Sequence, residues 1–197
     1  MLKVAINGFG RIGRSAFKIA LEKFFGQIEI VGINDLTDSK TLSHLLKYDS
    51  NYGVWNHDVS SDTEHIIVDQ NKYKVLNEKE PANLPWSSLN VDVVIESTGK
   101  FTKGEQASAH IKAGSKRVVI SAPVHGDGEG VPTYLLGVNA DKYSGEGIIS
   151  NSSCTTNCVA PVAQVMHSKF GILKAMMTTI HAYTQDQNLQ DSPHKDL

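Results

Sequence analysis

Short, almost continuous apolar runs alternate along this chain with stretches whose apolar residues recur every three to four positions. Residues 2–6 form the first run and read as a buried strand. Residues 11–25 follow as a helix, with Ile12, Ala16, Ile19, Ala20 and Phe24 near a 3.6-residue period and Gly26 as the stop. Residues 28–33 read as a second strand ending at Asn34-Asp35, and residues 39–48 as a helix, which makes a β-α-β unit.

The middle of the chain changes character. Residues 64–69 and 72–76 flank Gln70-Asn71 and predict a hairpin, an antiparallel addition to the sheet. Alternation then resumes, with strands over 91–96 and 117–121 and a helix over 103–113 that Gly114 ends. Residues 124–132 are Gly-rich and read as a loop, and 134–138 and 147–150 as further short strands. Strands apolar almost throughout belong to a sheet with helices on both faces. The pattern predicts a doubly wound α/β domain over residues 1–152. A helix over 155–170, stopped by Gly171 and interrupted by Pro161, and a strand over 172–181 then start a second unit, 153–197, with a polar, loop-like end. One helix and one strand do not bury an apolar face between them, so the 197 residues are expected to be part of a longer protein or to need a partner chain.

Composition narrows the class only slightly. A net charge of −2 supplies no basic field for nucleic acid. Two cysteines exclude a disulfide framework and fit a reducing, cytoplasmic setting. No stretch reaches the roughly 18 apolar residues of a membrane helix.

Candidate chemistry lies at strand ends. Gly8, Gly10 and Gly13 form G-x-G-x-x-G directly after the first strand and at a helix start, a loop that lets backbone approach a pyrophosphate lying on a helix N-terminus. Asp35, 22 residues beyond Gly13, ends the second strand. A carboxylate there accepts hydrogen bonds from ribose hydroxyls and repels a 2′-phosphate, which favours NAD over NADP. Glu96-Ser97-Thr98-Gly99-Lys100-Phe101 and Ser121-Ala122 follow later strands and face the same crevice, with Phe101 available to adenine. Cys154 sits in Ser152-Ser153-Cys154-Thr155-Thr156-Asn157-Cys158, at the first turn of a helix, where the dipole favours a thiolate. Cys158 reads as a small buried apolar residue. Of the eight histidines, His181 ends the 174–180 strand beside the thiol and is the candidate base. His44, His57, His65, His110, His125, His167 and His194 read as structural or solvated.

Taken in order, N-G-F-G-R-I-G-R, I-N-D-L, E-S-T-G, S-A-P, S-N-S-S-C-T-T-N-C-V-A-P and T-T-I-H-A-Y-T resemble the phosphorylating, NAD-dependent glyceraldehyde-3-phosphate dehydrogenases over residues 2–197. The resemblance implies a Rossmann-type domain followed by the start of an α+β catalytic domain. It places the nucleophile on Cys154 and the base on His181. It places cofactor contacts on Arg11, Ile12, Asp35, Lys79, Thr98, Phe101 and Ser121, and phosphate-binding hydroxyls on Ser153, Thr155 and Thr184. It implies a thioester intermediate, glyceraldehyde 3-phosphate and inorganic phosphate as substrates, and a cytoplasmic homotetramer at full length, with no metal, membrane or nucleic-acid partner. In that family the loop after the histidine lines a neighbour's cofactor pocket, and residues 1–197 alone are expected to show little activity. An erythrose-4-phosphate dehydrogenase, with water as acyl acceptor, and a non-catalytic NAD-binding module are the alternatives. Residues 124–132 are longer and more Gly-rich than the family's usual connection there.

Overall fold

Strict alternation along β1 (Leu2–Asn7) sends Val4 and Ile6 to one face of the sheet and Ala5 to the other. Both faces are covered. Val4 and Ile6 pack with Phe9, Phe17, Leu42 and Leu46, and Ala5 with Leu84, Trp86, Val91 and Val94. The structure, a computed structural model, describes residues 1–124, 130–184, 187 and 189–193. The 125–129 part of the Gly-rich loop, and with it His125, lies outside the described residues, as does His194.

After β1 the chain runs through α1 (Arg11–Lys23), β2 (Ile28–Asn34) and α2 (Ser39–Lys47). The Asp38 side chain caps α2 by accepting from Thr41 N at 2.9 Å. Five short strands follow: β3 (Tyr48–Asp49), β4 (Gly53–Val54), β5 (Val59–Ser61), β6 (His65–Val68) and β7 (Asn71–Leu76). Then come β8 (Val93–Glu96), α3 (Gly104–Lys112), β9 (Arg117–Ile120), β10 (Ile148–Ser150) and α4 (Cys154–Phe170). The main sheet has eight strands in the order β10-β9-β8-β1-β2-β7-β6-β5, parallel from β10 to β7 and antiparallel beyond. The doubly wound sheet with a small antiparallel addition is therefore present. Strand order reverses at β1, between β2 and β8, and a ligand crevice in such sheets opens at that reversal, beyond the carboxyl ends of the strands.

Several local expectations are corrected. The buried face of α1 is Gly13, Arg14, Phe17 and Ala20, whereas Ile12 (56% exposed), Ile19 (50%) and Phe24 (41%) look outward. Phe17 decides this. Its ring meets Phe9, Tyr73 and Trp55 edge-on, at centroid distances of 5.5, 4.8 and 6.3 Å. The hairpin turn is Asp69-Gln70, one residue earlier than predicted. Val68 pairs with Asn71, and both turn residues have positive φ (46° and 70°), the two-residue geometry that matches strand twist. Strands β3, β4 and β5 are too short to leave a pattern in the sequence.

Residues 134–138 form no strand. Tyr134 N bonds Ser150 O at 2.9 Å, but Asn139 then folds the chain back: its Oδ1 accepts from Leu135 N and its Nδ2 donates to Thr133 O, each at 2.9 Å. Residues 172–181 form none either. Their apolar content is a strand propensity, but a strand exists only with a partner, and none pairs with them among the described residues. Helix α4 runs through Pro161 and ends at Gly171 (φ 73°), and no residue of it is buried.

Because Phe17 is fully buried and Ile19 half-exposed, Phe17→Ala should destabilise the fold by about 3–5 kcal/mol. Ile19→Ala should change it by about 0.5 kcal/mol or less. Urea unfolding of both variants reads the difference directly, and equal losses would place the core on the wrong face of α1.

Candidate active site

The loop between β1 and α1 is held by backbone and by one carboxylate. Gly8 N donates to Asn34 O at 2.8 Å, and Phe9 N donates to Asp35 Oδ2 at 2.8 Å. Asp35 Oδ1 accepts from Thr37 N at 2.9 Å, so the acid is fixed at the end of β2 with lone pairs left on both oxygens. A Cβ on Gly13 would lie 2.1 Å from Gly8 O, so only glycine lets α1 begin against the loop. Gly10, by contrast, opens on free space. Gly10 is the N-cap of α1 and has no capping side chain, and the first turn holds no acid. The helix thus offers bare N–H groups and its positive end to an anion.

Around this helix end lies a cleft of about 700 Å³. Gly8, Gly10, Arg11, Ile12, Asp35 and Lys79 line it on one side. Thr98, Phe101 and Ser121 form the other side. The glycine loop, Asp35, the 97–101 segment and Ser121-Ala122, singled out in the sequence, therefore meet in one crevice. Gly13 does not line it and acts behind it. The donor set fits a dinucleotide: N–H groups for a pyrophosphate, a fixed carboxylate for ribose, and apolar side chains for a flat base.

Arg11 and Arg14 were separable only in three dimensions. Arg11 pairs with Asp49 at 3.1 Å and with Asp191. Arg14 is buried, and its guanidinium donates to Phe9 O at 3.0 Å and Asp191 O at 3.1 Å. Burial, with Arg11 alongside, pushes Arg14 below its ordinary pKa. Ser50 also bonds Asp191, through Oγ at 2.5 Å. Residues 191–193 thus line the cleft of their own chain. Nothing in the sequence marked Asp49 or Asp191, and Arg14 stood only as the last residue of N-G-F-G-R-I-G-R, with no role.

The end of β10 carries the thiol. Ser152, with φ 65°, turns the chain sharply after β10, a strained conformation for a residue with a side chain. Asn157 pins that turn, its Nδ2 donating to Asn151 O at 2.7 Å and Ser153 O at 2.9 Å. Ser153 caps α4, accepting from Thr156 N at 3.0 Å. Cys154 is then the first residue of the helix, exposed, with Sγ 3.3 Å from His181 Nε2. His181 Nδ1 lies 2.6 Å from Ala182 O, which only accepts. Nδ1 therefore carries a proton, and Nε2 is the nitrogen that takes one from, or gives one to, the sulfur.

The electrostatics follow the contacts. The imidazole lowers the Cys154 thiol pKa, with help from the Thr155 hydroxyl and N–H, against burial that raises it. The Ala182 carbonyl, then the sulfur, raise the His181 pKa. Both shifts favour a thiolate–imidazolium pair. Cys158, expected to be buried, is exposed, on a helix of which no residue is buried. Thr184 turns to Gln187, its N–H and hydroxyl donating to Oε1 at 2.6 and 3.2 Å. Cys154, His181, Ser153, Thr155 and Thr184 are not among the residues lining the cleft, so the structure assembles two half-sites.

Comparison with known families decides between a generic dinucleotide fold and a specific one. Residues 2–104 match the model of the glyceraldehyde 3-phosphate dehydrogenase NAD binding domain, and residues 153–197 that of the C-terminal domain of the same family. The chain belongs to the glyceraldehyde 3-phosphate dehydrogenase family. It is 51% identical over 198 residues to a glyceraldehyde-3-phosphate dehydrogenase of Geobacillus stearothermophilus, covering all of this chain and 58% of that protein. It is 55% identical over 203 residues to one of Mycolicibacterium smegmatis, covering all of this chain and 59% of the relative. The chain therefore spans somewhat more than half the length of these relatives. NAD is the cofactor of the matched domain. Among the described residues no helix is long and apolar enough to cross a membrane.

The lowered thiol pKa predicts that iodoacetamide alkylates Cys154 at a lower pH than a free thiol of pKa ~8.5. Replacing His181 by Asn removes the largest cause of that shift, so the alkylation profile should move to higher pH. A profile that ignores His181 would refute the pairing.

Proposed function

We propose that residues 1–152 bind NAD and residues 153–197 open the catalytic domain of an oxidoreductase. The reaction converts glyceraldehyde 3-phosphate, with inorganic phosphate, to 1,3-bisphosphoglycerate. The observation that carries the reading is the 3.3 Å contact between Cys154 and His181 at the capped start of α4. The Cys154 thiolate attacks the aldehyde carbon, and the His181 imidazolium gives its Nε2 proton to the aldehyde oxygen, which forms a hemithioacetal and leaves Nε2 free. His181 Nε2 takes the proton of its hydroxyl as the carbon is oxidised, and the Cys154 backbone N–H, unbonded at the first helical turn, faces the developing oxyanion. NAD, when bound, supplies the hydride acceptor. The thioester left on Cys154 is released by phosphate as an acyl phosphate, and the His181 imidazole again moves the proton. Arg11, Ile12, Asp35, Lys79, Thr98, Phe101 and Ser121, with the Gly8–Gly13 loop, hold the cofactor. Ser153, Thr155 and Thr184 bind the phosphate groups.

The working enzyme, on this reading, is a cytoplasmic homotetramer of glycolysis. The exposed Val162, Val165, Phe170, Leu173 and Ile180 support a covered surface there. Turnover by the 197 residues is expected to be slow, because the segment carrying His181 and Thr184 lies in no sheet among the described residues. Single-turnover acylation avoids that limit. With NAD and glyceraldehyde 3-phosphate, intact mass should show an acyl group on Cys154 that inorganic phosphate removes faster than water does. Cys154→Ser should abolish it, and His181→Gln should slow it about 10²–10⁴-fold. Acylation elsewhere, or none, would overturn the mechanism.

A further inference from the structure

Beneath the crevice lies a line of buried polar groups that the proposed chemistry does not use. Glu96 is 2% exposed and His110 fully buried. The Glu96 carboxylate, at the end of β8, accepts from four donors: Asn7 Nδ2 at 2.5 Å, His110 Nε2 at 3.0 Å, Thr98 N at 2.9 Å and the Thr98 hydroxyl. The sense of the line is fixed by chemistry. An indole N–H only donates, and Trp86 Nε1 lies 2.9 Å from His110 Nδ1. Nδ1 must therefore accept, and the ring's one proton sits on Nε2, aimed at Glu96. The 3.4 Å approach of Asn7 Nδ2 to His110 Nε2 is then two donors converging on one carboxylate oxygen.

The line continues through Asn7. With its Nδ2 on Glu96, its Oδ1 accepts from Asn34 Nδ2 at 2.7 Å. The Asn34 amide closes on the backbone of Glu78, accepting from its N–H at 2.9 Å and donating to its carbonyl at 2.8 Å. One chain of hydrogen bonds thus crosses β8, β1 and β2 under the strand reversal and emerges at both walls of the cleft. On one wall it ends at Thr98, whose hydroxyl also accepts from Lys100 N at 3.1 Å. On the other it ends at the Glu78–Lys79 turn.

We propose that Trp86 and His110 are positioning residues for the dinucleotide. Acting through Glu96, they set the orientation of Thr98, and through Asn7 and Asn34 they set the Glu78–Lys79 turn, so that one line of donors holds both walls of the crevice open at a fixed width. The proposal rests on the reading of this cleft as the NAD site. Neither residue reaches the ligand.

The test separates polarity from bulk and is read as NAD affinity by titration calorimetry on the full chain, with the thermal midpoint alongside. His110→Gln keeps an acceptor toward Trp86 and a donor toward Glu96, and His110→Leu keeps neither. The Leu variant should bind NAD about tenfold more weakly or worse, and the Gln variant should recover most of that loss. Trp86→Phe, which loses only the indole N–H and part of the ring, should weaken binding in the same direction and serves if the Leu variant does not fold. Thr98→Val removes the output on one wall, so its loss and that of the His110 variant should be less than additive. Folded variants with lowered midpoints but unchanged NAD affinity, or full additivity, would overturn the proposal and leave the cleft reading intact. Absence of NAD binding by the unmutated chain would overturn the cleft reading itself, and this proposal with it.

Discussion

The packing of the start of α1 against the loop that leaves β1 is the constraint on which the site depends. Gly13 has no Cβ to collide with Gly8 O, so the helix starts within contact of the strand end. That contact turns the uncapped N–H groups of α1 toward the space where β2 and β8 diverge. Asp35 reinforces it from the next strand by accepting from Phe9 N, and Ser97 from the strand on the other side, its Oγ donating to Gly8 O at 2.7 Å. Three parallel strands thus grip one loop. Phe9 and Phe17, edge to face beneath it, convert that grip into a buried core.

The thiol is arranged by different means. Its position is set by groups close in sequence: a cap on Ser153 and a turn pinned by Asn157. Only the imidazole comes from far along the chain, 27 residues on, and it does so on an exposed segment that pairs with no strand among the described residues. The contrast is physical. A crevice needs a sheet to hold its walls, whereas a lowered thiol pKa needs only a helix end and one neighbour.

How much was legible follows from the range of each signal. The G-x-G-x-x-G spacing, Asp35 and the S-S-C-T-T-N-C block are local, and each sits at the strand or helix end where its pattern placed it. The period of Ile12, Ala16, Ile19, Ala20 and Phe24 marked a helix but not its inward face, which Phe17 sets. Phe17 has partners on β7 and in the loops after β1 and β4, which periodicity within one helix does not weigh. Residues 134–138 and 172–181 carry strand composition without strand partners among the described residues, and pairing is not a local property. His110 looked like any helix-face histidine, since its meaning lies in Trp86 and Glu96, which approach from other elements.

The order of short apolar runs, the glycine spacing, the acid after the second strand and the cysteine at a helix start were determined by the sequence alone, because each depends on neighbours within a turn or a strand. The tertiary structure decided which way the His110 ring faces, which arginine is buried, where Asp191 lies, and that Thr98 and Lys79 stand on opposite walls of one cleft. Those depend on which strands lie side by side, and strand order is settled by packing across the whole sheet rather than by any single segment.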